Sequence, residues 1–395
     1  MSAAHIHPAL AMDKPVRGDI FAATIMTKGE ALASFDREPT GTEGPTPGVT
    51  FRRTGKAGRI RLNKPKSLNA LDHEMALAIH AALDEWAKDD AVKLVVIDAV
   101  GDKAFCAGGD IAALYHAGRA GDYQSARRFF ADEYRMNRAI ARYPKPYVAM
   151  MDGIVMGGGV GLSAHGDLRI VTERSMVAMP ECGIGLIPDV GGTLVLANAP
   201  GRLGEYLGLT GFRMKAADAI LAGFADRFLL SSKIAEAIAR LEETGDPAAI
   251  ADLYEAPEGG ELDGRMESID RLFAGDDAAA ILTALSVDGG EFATKTAETI
   301  RRGSPLSVAV TLELVRAARA DPAIETSLAR EYRYTYRAQT QGDILEGTRA
   351  AVIDKDRAPR WPVQRIEDLP RQKVEAMLAP LGKDELTFDE KAEEV

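Results

Sequence analysis

The sequence predicts an α/β domain followed by a mainly helical region. Two observations indicate this fold class: short apolar strands alternate with helical patterns between residues 49 and 200, and helical patterns dominate after Gly201. The chain has 395 residues, of which 46% are hydrophobic, so it is long enough to bury a core without disulfides. We therefore expect one large domain or two modest ones.

The first part of the chain predicts alternating strands and helices. Val49–Arg53 and Arg59–Leu62 have the pattern of a β-hairpin, and the apolar residues of Met75–Trp86 recur at helical spacing. Further strands are predicted at residues 94–97, 147–151, 168–172 and 176–178, and further helices from Asp110, over 123–142 and after residues 157–159. This alternation favours largely parallel strand pairing.

The second part of the chain predicts helices. They are expected at residues 203–209, 215–222, 232–242, 277–285, 292–302, 306–320 and 325–339. We therefore divide the chain into three regions. Residues 1–48 form a loosely ordered N-terminal extension rich in Pro, Gly and Thr, residues 49–210 an α/β core with the active site, and residues 211–395 a mainly helical region that covers the site.

Charge and cysteine content exclude some function classes. Lys and Arg total 48 against 59 Asp and Glu, a net charge of −11, which argues against a protein that coats nucleic acid. Two cysteines, Cys106 and Cys182, supply at most one disulfide, so we expect reduced thiols. The apolar stretch 147–164 is long enough to span a membrane, but it contains Asp152 and several glycines and fits a strand, turn and helix better.

Targeting signals are not evident at the N-terminus. The first residues lack the basic start and apolar core of a signal peptide, and Asp13, Asp19 and Glu30 disfavour a mitochondrial transit peptide. We therefore expect a cytoplasmic protein without a membrane partner.

Two glycine-rich segments are candidates for ligand binding through their backbone N–H groups. Gly108 and Gly109 precede a predicted helix, and Gly157–Gly159 precede another. Glycines at a helix N-terminus let N–H groups approach a ligand closely, with the helix dipole behind them. Together the two loops could direct one N–H group each at a developing oxyanion, although either loop alone is equally explained by tight packing of helix on strand.

A third segment carries two carboxylates in an apolar setting. Glu181 and Asp189 lie in the sequence MPECGIGLIPDVGG, residues 179–192, among Pro, Gly and aliphatic residues. Such surroundings raise the pKa of a carboxyl toward the range useful for acid and base chemistry. The alternative is that both carboxylates cap buried backbone N–H groups.

The sequence contains no motif for a common phosphate-binding loop or a metal site. The chain has no GxGxxG after a strand and no GxxxxGK[ST], so the common phosphate-binding loops are absent. Its six histidines show no HExxH or Cys/His ligand spacing, so we expect no metal site.

Taken together, these segments resemble the enoyl-CoA hydratase/isomerase (crotonase) superfamily over roughly residues 49–363. The motifs that carry the resemblance are, in order, LNKPKSLNALD, AFCAGGDI, MGGGVGLS, MPECGIGLIPDVGG and LTGFRMKAADA. The resemblance implies a crotonase-like spiral of ββα units followed by a helical C-terminal region. Within the superfamily the chain is most similar to the 3-hydroxyisobutyryl-CoA hydrolase family, through FADEYRMN (130–137), PDVGG and EGTRAAVIDKDRAPRW (346–361).

One departure from the hydratase pattern concerns Gly161. Hydratases of the superfamily carry a second glutamate two residues after the glycine triplet, and this chain has glycine there, as the hydrolases do. The resemblance therefore implies hydrolysis of a short-chain 3-hydroxyacyl-CoA, above all 3-hydroxyisobutyryl-CoA to 3-hydroxyisobutyrate and CoA, as in valine catabolism. The alternatives are an enoyl-CoA hydratase or isomerase that uses Glu181 as its single acid and base, and a non-catalytic CoA-binding protein.

The resemblance also implies roles for individual residues. The thioester oxygen would accept the N–H groups of Gly109 and Gly158, Glu181 would attack the carbonyl or act as base toward water, and Asp189 would assist the leaving thiol or place water. The remaining candidates for substrate binding are Glu133 at the acyl 3-hydroxyl, Gly108, and Lys64 and Lys66 at the CoA phosphates. Glu133 could instead be an exposed helix charge, and the lysines solvated loop residues.

The resemblance further implies an acyl-CoA partner and no metal or redox cofactor, since coenzyme A is part of the substrate. It is compatible with a homo-oligomer based on trimers or smaller, while the sequence itself leaves the oligomeric state open.

Overall fold

The computed structural model of this protein describes residues 46–388. Nine short strands lie between residues 49 and 228. Their bounds are β1 Val49–Thr54, β2 Ala57–Leu62, β3 Leu94–Ala99, β4 Ala104–Cys106, β5 Tyr147–Met151, β6 Ile154–Met156, β7 Leu168–Val171, β8 Met176–Ala178 and β9 Arg227–Phe228.

The strands form two sheets. The larger sheet has the order β1-β2-β3-β5-β7-β9 and the smaller one the order β4-β6-β8. Only β1 and β2 pair antiparallel, as a hairpin; all the other pairs within the described residues are parallel. From β3 onward the chain places one strand in each of the two sheets, and one or more helices then lead to the next unit. This repetition is the predicted spiral of ββα units, and it is confirmed.

Fifteen α-helices connect and cover these sheets within residues 46–388. They are α1 His73–Lys88, α2 Ile111–Arg119, α3 Tyr123–Ala141, α4 Gly158–Ser163, α5 Gly192–Asn198, α6 Leu203–Thr210, α7 Ala216–Leu221, α8 Ile234–Thr244, α9 Met266–Leu272, α10 Ala278–Asp288, α11 Glu291–Arg302, α12 Pro305–Ala320, α13 Ile324–Ala338, α14 Ile344–Thr348 and α15 Arg371–Leu378.

The central strands β3 and β5 of the large sheet are buried on both faces, which explains their apolar sequences. Residues 94–97 of β3 read LVVI and are all fully buried, as are all five residues of β5. The side chains of Val95 and Ile97 belong to the main core, whereas those of Leu94 and Val96 face a second core covered by α8. The strands are therefore fixed from two sides, and the loops at their carboxyl ends start from rigid positions.

Most of the predicted elements are present at the expected places, so the α/β fold class is confirmed. The prediction missed the strands β4, β6 and β9, because each has only two or three residues and shows no periodicity of its own. No helix among the described residues is both long enough and apolar enough to cross a bilayer.

The division into regions 1–48, 49–210 and 211–395 stays a prediction. Residues 1–45 of the expected N-terminal extension lie outside the described part of the chain, as do residues 389–395. Strand β9 lies beyond residue 210 and still pairs with β7 in the large sheet.

Candidate active site

The three candidate segments meet around one cavity of about 280 Å³. It lies where the loops after β4, β6 and β8 approach the middle of helix α3. The lining residues include Gly108, Gly109, Glu133, Gly157, Gly158, Glu181 and Asp189, together with apolar side chains such as Phe129, Phe130, Ile184 and Leu186. Of the predicted site residues, the two glycine loops and all three carboxylates are therefore brought together.

The loop after β4 leaves one N–H group unused at the cavity. The backbone of Leu71 donates to the carbonyl of Gly108 at 2.9 Å and accepts from the N–H of Asp110 at 2.9 Å. These two bonds hold the chain on either side of Gly109, whose own N–H has no protein acceptor in residues 46–388. Gly108 has a φ of +108°, a conformation that side chains disfavour, which explains the glycine.

The loop after β6 presents a second N–H group beside the first. Helix α4 begins at Gly158, so this N–H belongs to the first turn, where no intrahelical acceptor exists. A Cβ atom at Gly158 would lie 3.5 Å from the nitrogen of Gly109 and 2.9 Å from Oε1 of Glu133. The two loops are thus in contact, and a side chain at Gly158 would fill the space between the N–H groups and a carboxyl.

Glu181 is buried beside these donors without a partner for one of its oxygens. It begins the 3-10 helix Glu181–Ile184, is 4% exposed, and its Oε2 has no hydrogen-bond partner among the described residues. Its Oε1 lies 3.0 Å from the position that a Cβ of Gly157 would take. Burial, followed by the nearby charge of Asp189, raises the pKa of Glu181 well above the ordinary 4.5. This carboxyl is therefore a strong base once it is ionised.

Asp189 lies across the cavity and is held by a tyrosine. The hydroxyl of Tyr134 donates to Oδ2 of Asp189 at 2.7 Å. Burial raises the pKa of Asp189 from 3.8 to about 7, while the hydrogen bond from Tyr134 opposes this rise. Asp189 can therefore exchange a proton near neutral pH.

Glu133 is a third buried carboxyl and not an exposed helix charge. It lies on α3, is 2% exposed, and lines the cavity next to Gly158. Burial, and then the charge of Asp189, raise the pKa of Glu133 well above 4.5. A protonated carboxyl at this position can donate one hydrogen bond and accept another, which suits a hydroxyl group of a ligand.

Gly161 lies in a space that admits no side chain. A Cβ atom there would lie 2.6 Å from Nδ2 of Asn137 and 2.7 Å from Cβ of Val190, both closer than real Cβ contacts. A glutamate at this position would require α3 or the turn after Asp189 to move. A second glutamate at position 161 would therefore clash with Asn137 and Val190 unless these residues moved.

The two lysines predicted to bind CoA phosphates lie outside the cavity lining. Nζ of Lys64 contacts Oδ2 of Asp72 at 2.9 Å, and Lys66 is exposed on the short 3-10 helix Pro65–Ser67. Their role toward phosphate stays a prediction.

Sequence reasoning missed two residues that contact the Asp189 segment. Tyr134 stands next to Glu133 in the quoted motif FADEYRMN, so its place one residue after a site carboxyl was a usable signal. Glu331 on α13 accepts hydrogen bonds from the N–H groups of Gly191 at 2.7 Å and Thr193 at 3.1 Å. No local pattern connects Glu331 with residues about 140 positions earlier.

The site combines the N–H groups of two adjoining loops with three buried carboxyls. None of these carboxyls, Glu133, Glu181 and Asp189, forms an ion pair with a cation within residues 46–388. The donors can stabilise an oxyanion, and the carboxyls can attack, deprotonate or protonate a bound ligand. Within residues 46–388 no group of three or more His, Cys, Asp and Glu residues is arranged to hold a metal ion.

Comparison with known proteins identifies a family whose model matches most of the chain. A family model described as enoyl-CoA hydratase/isomerase matches residues 57–378. Curated relatives named "3-hydroxyisobutyryl-CoA hydrolase, mitochondrial" from Gallus gallus and Danio rerio are each 41% identical over 349 residues, which is 86% of this chain and 90% and 91% of theirs.

Solved structures with the same fold carry other names. A crystal structure of an enoyl-CoA hydratase from Rhodobacter sphaeroides is 50% identical with a TM-score of 0.82, and covers 86% of this chain and 100% of its own. A carnitinyl-CoA dehydratase from Mycobacterium thermoresistibile is 41% identical with a TM-score of 0.83, and covers 88% of this chain and 100% of its own. These similarities confirm the crotonase-like fold.

The expectation of a cytoplasmic protein is wrong. The curated relatives from Gallus gallus, Danio rerio and Homo sapiens are all named as mitochondrial. The sequence argument against a transit peptide rested on Asp13, Asp19 and Glu30, which lie outside the described residues.

Proposed function

This chain belongs to the enoyl-CoA hydratase/isomerase family, and from that premise we propose that it hydrolyses the thioester of 3-hydroxyisobutyryl-CoA. One observation carries the choice of hydrolysis over hydration. Glu181 lines the same cavity as Gly109 and Gly158, and residue 161, where hydratases carry a second glutamate, is a glycine at which a Cβ atom would clash with its neighbours. The names of the curated relatives support the same reaction and the same acyl group.

The N–H groups of Gly109 and Gly158 bind the carbonyl oxygen of the thioester. Negative charge grows on this oxygen as the carbonyl carbon becomes tetrahedral, so preformed donors stabilise the transition state more than the bound substrate. Neither N–H group donates to an acceptor within residues 46–388, and that of Gly158 lies at the positive end of α4.

Glu181 reacts at the carbonyl carbon by one of two routes. In the first, its carboxylate forms a C–O bond and the C–S bond breaks, which gives a mixed anhydride and CoA thiolate; water then cleaves the anhydride to the acid and free Glu181. In the second, Glu181 removes a proton from water as the water attacks the carbonyl, and the C–S bond breaks from the tetrahedral intermediate.

Asp189 supplies the proton for the leaving group. With its pKa raised to about 7, a fraction of this carboxyl is protonated at neutral pH and can protonate the departing thiolate sulfur. On the first route the resulting carboxylate then accepts a proton from the water that cleaves the anhydride. On the second route it accepts the proton that Glu181 took from water, and in both cases the starting state is restored.

Glu133 binds the 3-hydroxyl group of the acyl chain. Its carboxyl lies beside Gly158, and this proximity supports a role near the acyl chain. A buried polar group left unpaired costs about 1–3 kcal/mol, so an acyl chain without the hydroxyl binds less well. The proposed reaction uses no metal or redox cofactor, since acid, base and oxyanion donors all come from the chain.

A thiol-release assay tests this proposal. The protein is incubated with 3-hydroxyisobutyryl-CoA and, in parallel, with isobutyryl-CoA, which differs only by the hydroxyl group, and free CoA is measured. We expect release from both substrates with a higher kcat/KM for the hydroxylated one. The absence of free CoA from any 3-hydroxyacyl-CoA would exclude the hydrolase function, and equal rates would exclude the role of Glu133.

A further inference from the structure

The carboxyl of Asp189 has a hydrogen-bonding partner from a different element. Tyr134 lies on α3, is fully buried, and donates from its hydroxyl to Oδ2 of Asp189 at 2.7 Å. The adjacent residue Glu133 lines the cavity. Glu133 therefore faces the ligand space, while Tyr134 holds the carboxyl of Asp189.

Helix α13 contacts the hydroxyl of Tyr134 through Thr335. Oγ1 of Thr335 lies 3.4 Å from the Tyr134 hydroxyl oxygen, and both groups are buried. Because a phenol has a single proton and the contact with Asp189 is much the shorter one, that proton goes to the carboxylate. Thr335 therefore restricts where the phenol oxygen can lie without competing for its proton.

The same helix also fixes the backbone that follows Asp189. Val190 and Gly191 both have left-handed backbone conformations, with φ of +56° and +78°, and such a turn is strained at the valine. Glu331, one turn before Thr335 on α13, accepts from the N–H groups of Gly191 and Thr193 and from the hydroxyl of Thr193. Helix α13 thus restrains Asp189 twice, through its backbone turn and through Tyr134.

We propose that Tyr134 is a positioning residue, whose hydroxyl, supported by Thr335 of α13, holds the carboxyl of Asp189 in the orientation that serves the leaving thiol. This inference rests on the proposed hydrolase function. Without the hydroxyl, Asp189 can rotate toward the cavity or toward Glu133, and the fraction of correctly oriented carboxyl falls.

The hydrogen bond also affects the protonation of Asp189. The titratable groups that face Asp189 are Tyr134 and Glu133 from α3, Glu181 from the preceding 3-10 helix, and Glu331 from α13. Burial disfavours the ionised form of Asp189, whereas the phenol donor favours the carboxylate and lowers the pKa of Asp189. Loss of the phenol hydroxyl therefore raises the pKa of Asp189.

The test compares Tyr134→Phe with Tyr332→Phe. Tyr332 packs edge to face against Tyr134, with ring centroids 6.2 Å apart, but its hydroxyl donates to the carbonyl of Arg127 and not to a site residue. Both variants remove one hydroxyl from the same aromatic cluster. We expect Tyr134→Phe to lower kcat for thiol release by about 10- to 100-fold with little change in KM. The limb of the pH–rate profile set by Asp189 should move to higher pH, and Tyr332→Phe should change neither quantity.

A purely structural role for Tyr134 predicts a different result. In that case kcat would follow the fraction of folded protein, the pH profile would stay in place, and our inference would be wrong. Thr335→Val, which keeps the side-chain volume, provides a second variant if Tyr134→Phe does not fold. It should lower kcat in the same direction but less, and an unchanged rate would count against the support from α13.

Wild-type protein in the same assay separates this inference from the proposed function. If the wild type releases no thiol, the hydrolase function is wrong. The effect of Tyr134 on the pKa of Asp189 can still be measured by NMR titration of ¹³C-labelled Asp carboxyls, in which Asp189→Asn assigns the signal. An unchanged titration of Asp189 in Tyr134→Phe would overturn the inference by itself.

Discussion

Glu205 and Glu181 are both buried glutamates, yet their surroundings are opposite. Glu205 on α6 is fully buried and lies within 3.6 Å of the guanidinium groups of Arg202, Arg316 and Arg319. Glu181 is 4% exposed and faces Asp189 and the glycine loops, with one oxygen unpartnered among the described residues. One carboxylate is paired with cations, and the other carboxyl is buried beside a second acid, which raises its pKa.

This difference shows where the molecule tolerates unfavourable electrostatics. A buried charge normally requires a partner, because its loss of hydration is not otherwise offset. Glu205 follows that rule and ties α12 to α6, so its contribution is structural. Glu181 has no such partner. It lines a cavity at which the N–H groups of Gly109 and Gly158 have no acceptor within residues 46–388, which is typical of a functional site.

The largest effect is expected for Glu181→Gln. Glutamine keeps the size of the side chain but can neither attack the thioester nor accept a proton from water, so we expect kcat for thiol release to fall by about 10²–10⁴-fold. Binding of CoA, measured by calorimetry, should stay near the wild-type value, because the amide leaves the cavity shape intact. A variant with a rate within a few fold of wild type would show that Glu181 is not the reacting group.

Glu205→Gln should affect stability instead of activity. It leaves three arginines around a neutral amide, and because these arginines are about a third exposed, water offsets part of the loss. We expect the free energy of unfolding in urea to fall by about 2 kcal/mol. The kcat of the folded fraction should be unchanged, and a selective loss of kcat at full stability would contradict the division between the two glutamates.

The pH dependence of the free energy of unfolding also tests the difference between Glu181 and Glu205. The folded-state pKa of Glu181 is raised, so the folded protein retains a proton that the unfolded chain releases. The contribution of Glu181 to stability is therefore greatest below the unfolded pKa near 4.5 and falls as pH rises toward the folded pKa, by up to about 1.4 kcal/mol per pH unit. Glu181→Gln removes this loss, so its free energy of unfolding should exceed that of wild type increasingly as pH rises.

The exposed residue Glu258 provides the control for that measurement. Glu258→Gln should show no stability gain that grows with pH. A parallel gain in both variants would mean that net charge, and not the burial of Glu181, causes the effect.

The smallest effect is expected for Glu133→Met, which replaces the carboxyl with an unbranched apolar side chain of similar length. If Glu133 binds the 3-hydroxyl, the preference for 3-hydroxyisobutyryl-CoA over isobutyryl-CoA should fall by about 10-fold, since a single hydrogen bond is lost. The ratio of the two kcat/KM values measures this directly. An unchanged ratio with both rates reduced would assign Glu133 to the chemistry and not to recognition.

Local sequence motifs predicted much of the fold and the composition of the cavity. The glycines at positions 108, 157 and 158 could be found because close approach of backbone to ligand leaves a clear mark in sequence. Glu181 and Asp189 could be found because apolar neighbours around a carboxylate are unusual on a surface. Glu133 depended on resemblance alone, since a glutamate on an amphipathic helix is ordinary.

Long-range contacts could not be predicted in the same way. The hydrogen bond from Tyr134 to Asp189 and the contacts of Glu331 with the turn at Gly191 depend on how α13 packs, which no local pattern encodes. For the same reason, sequence could not show that the buried Glu205 is paired with three arginines. What separates Glu205 from Glu181 is the presence or absence of arginines from α12, more than 100 residues away from Glu205 in the case of Arg316.

The most direct test of the account is a product analysis with two substrates of the same carbon skeleton. The protein is given 3-hydroxyisobutyryl-CoA and, separately, the corresponding 2-enoyl-CoA, and both free thiol and loss of the conjugated double bond are followed. We predict free CoA from the hydroxyacyl substrate and no hydration of the enoyl substrate, because Gly161 leaves no room for a second glutamate. Hydration of the double bond without release of thiol would contradict the account.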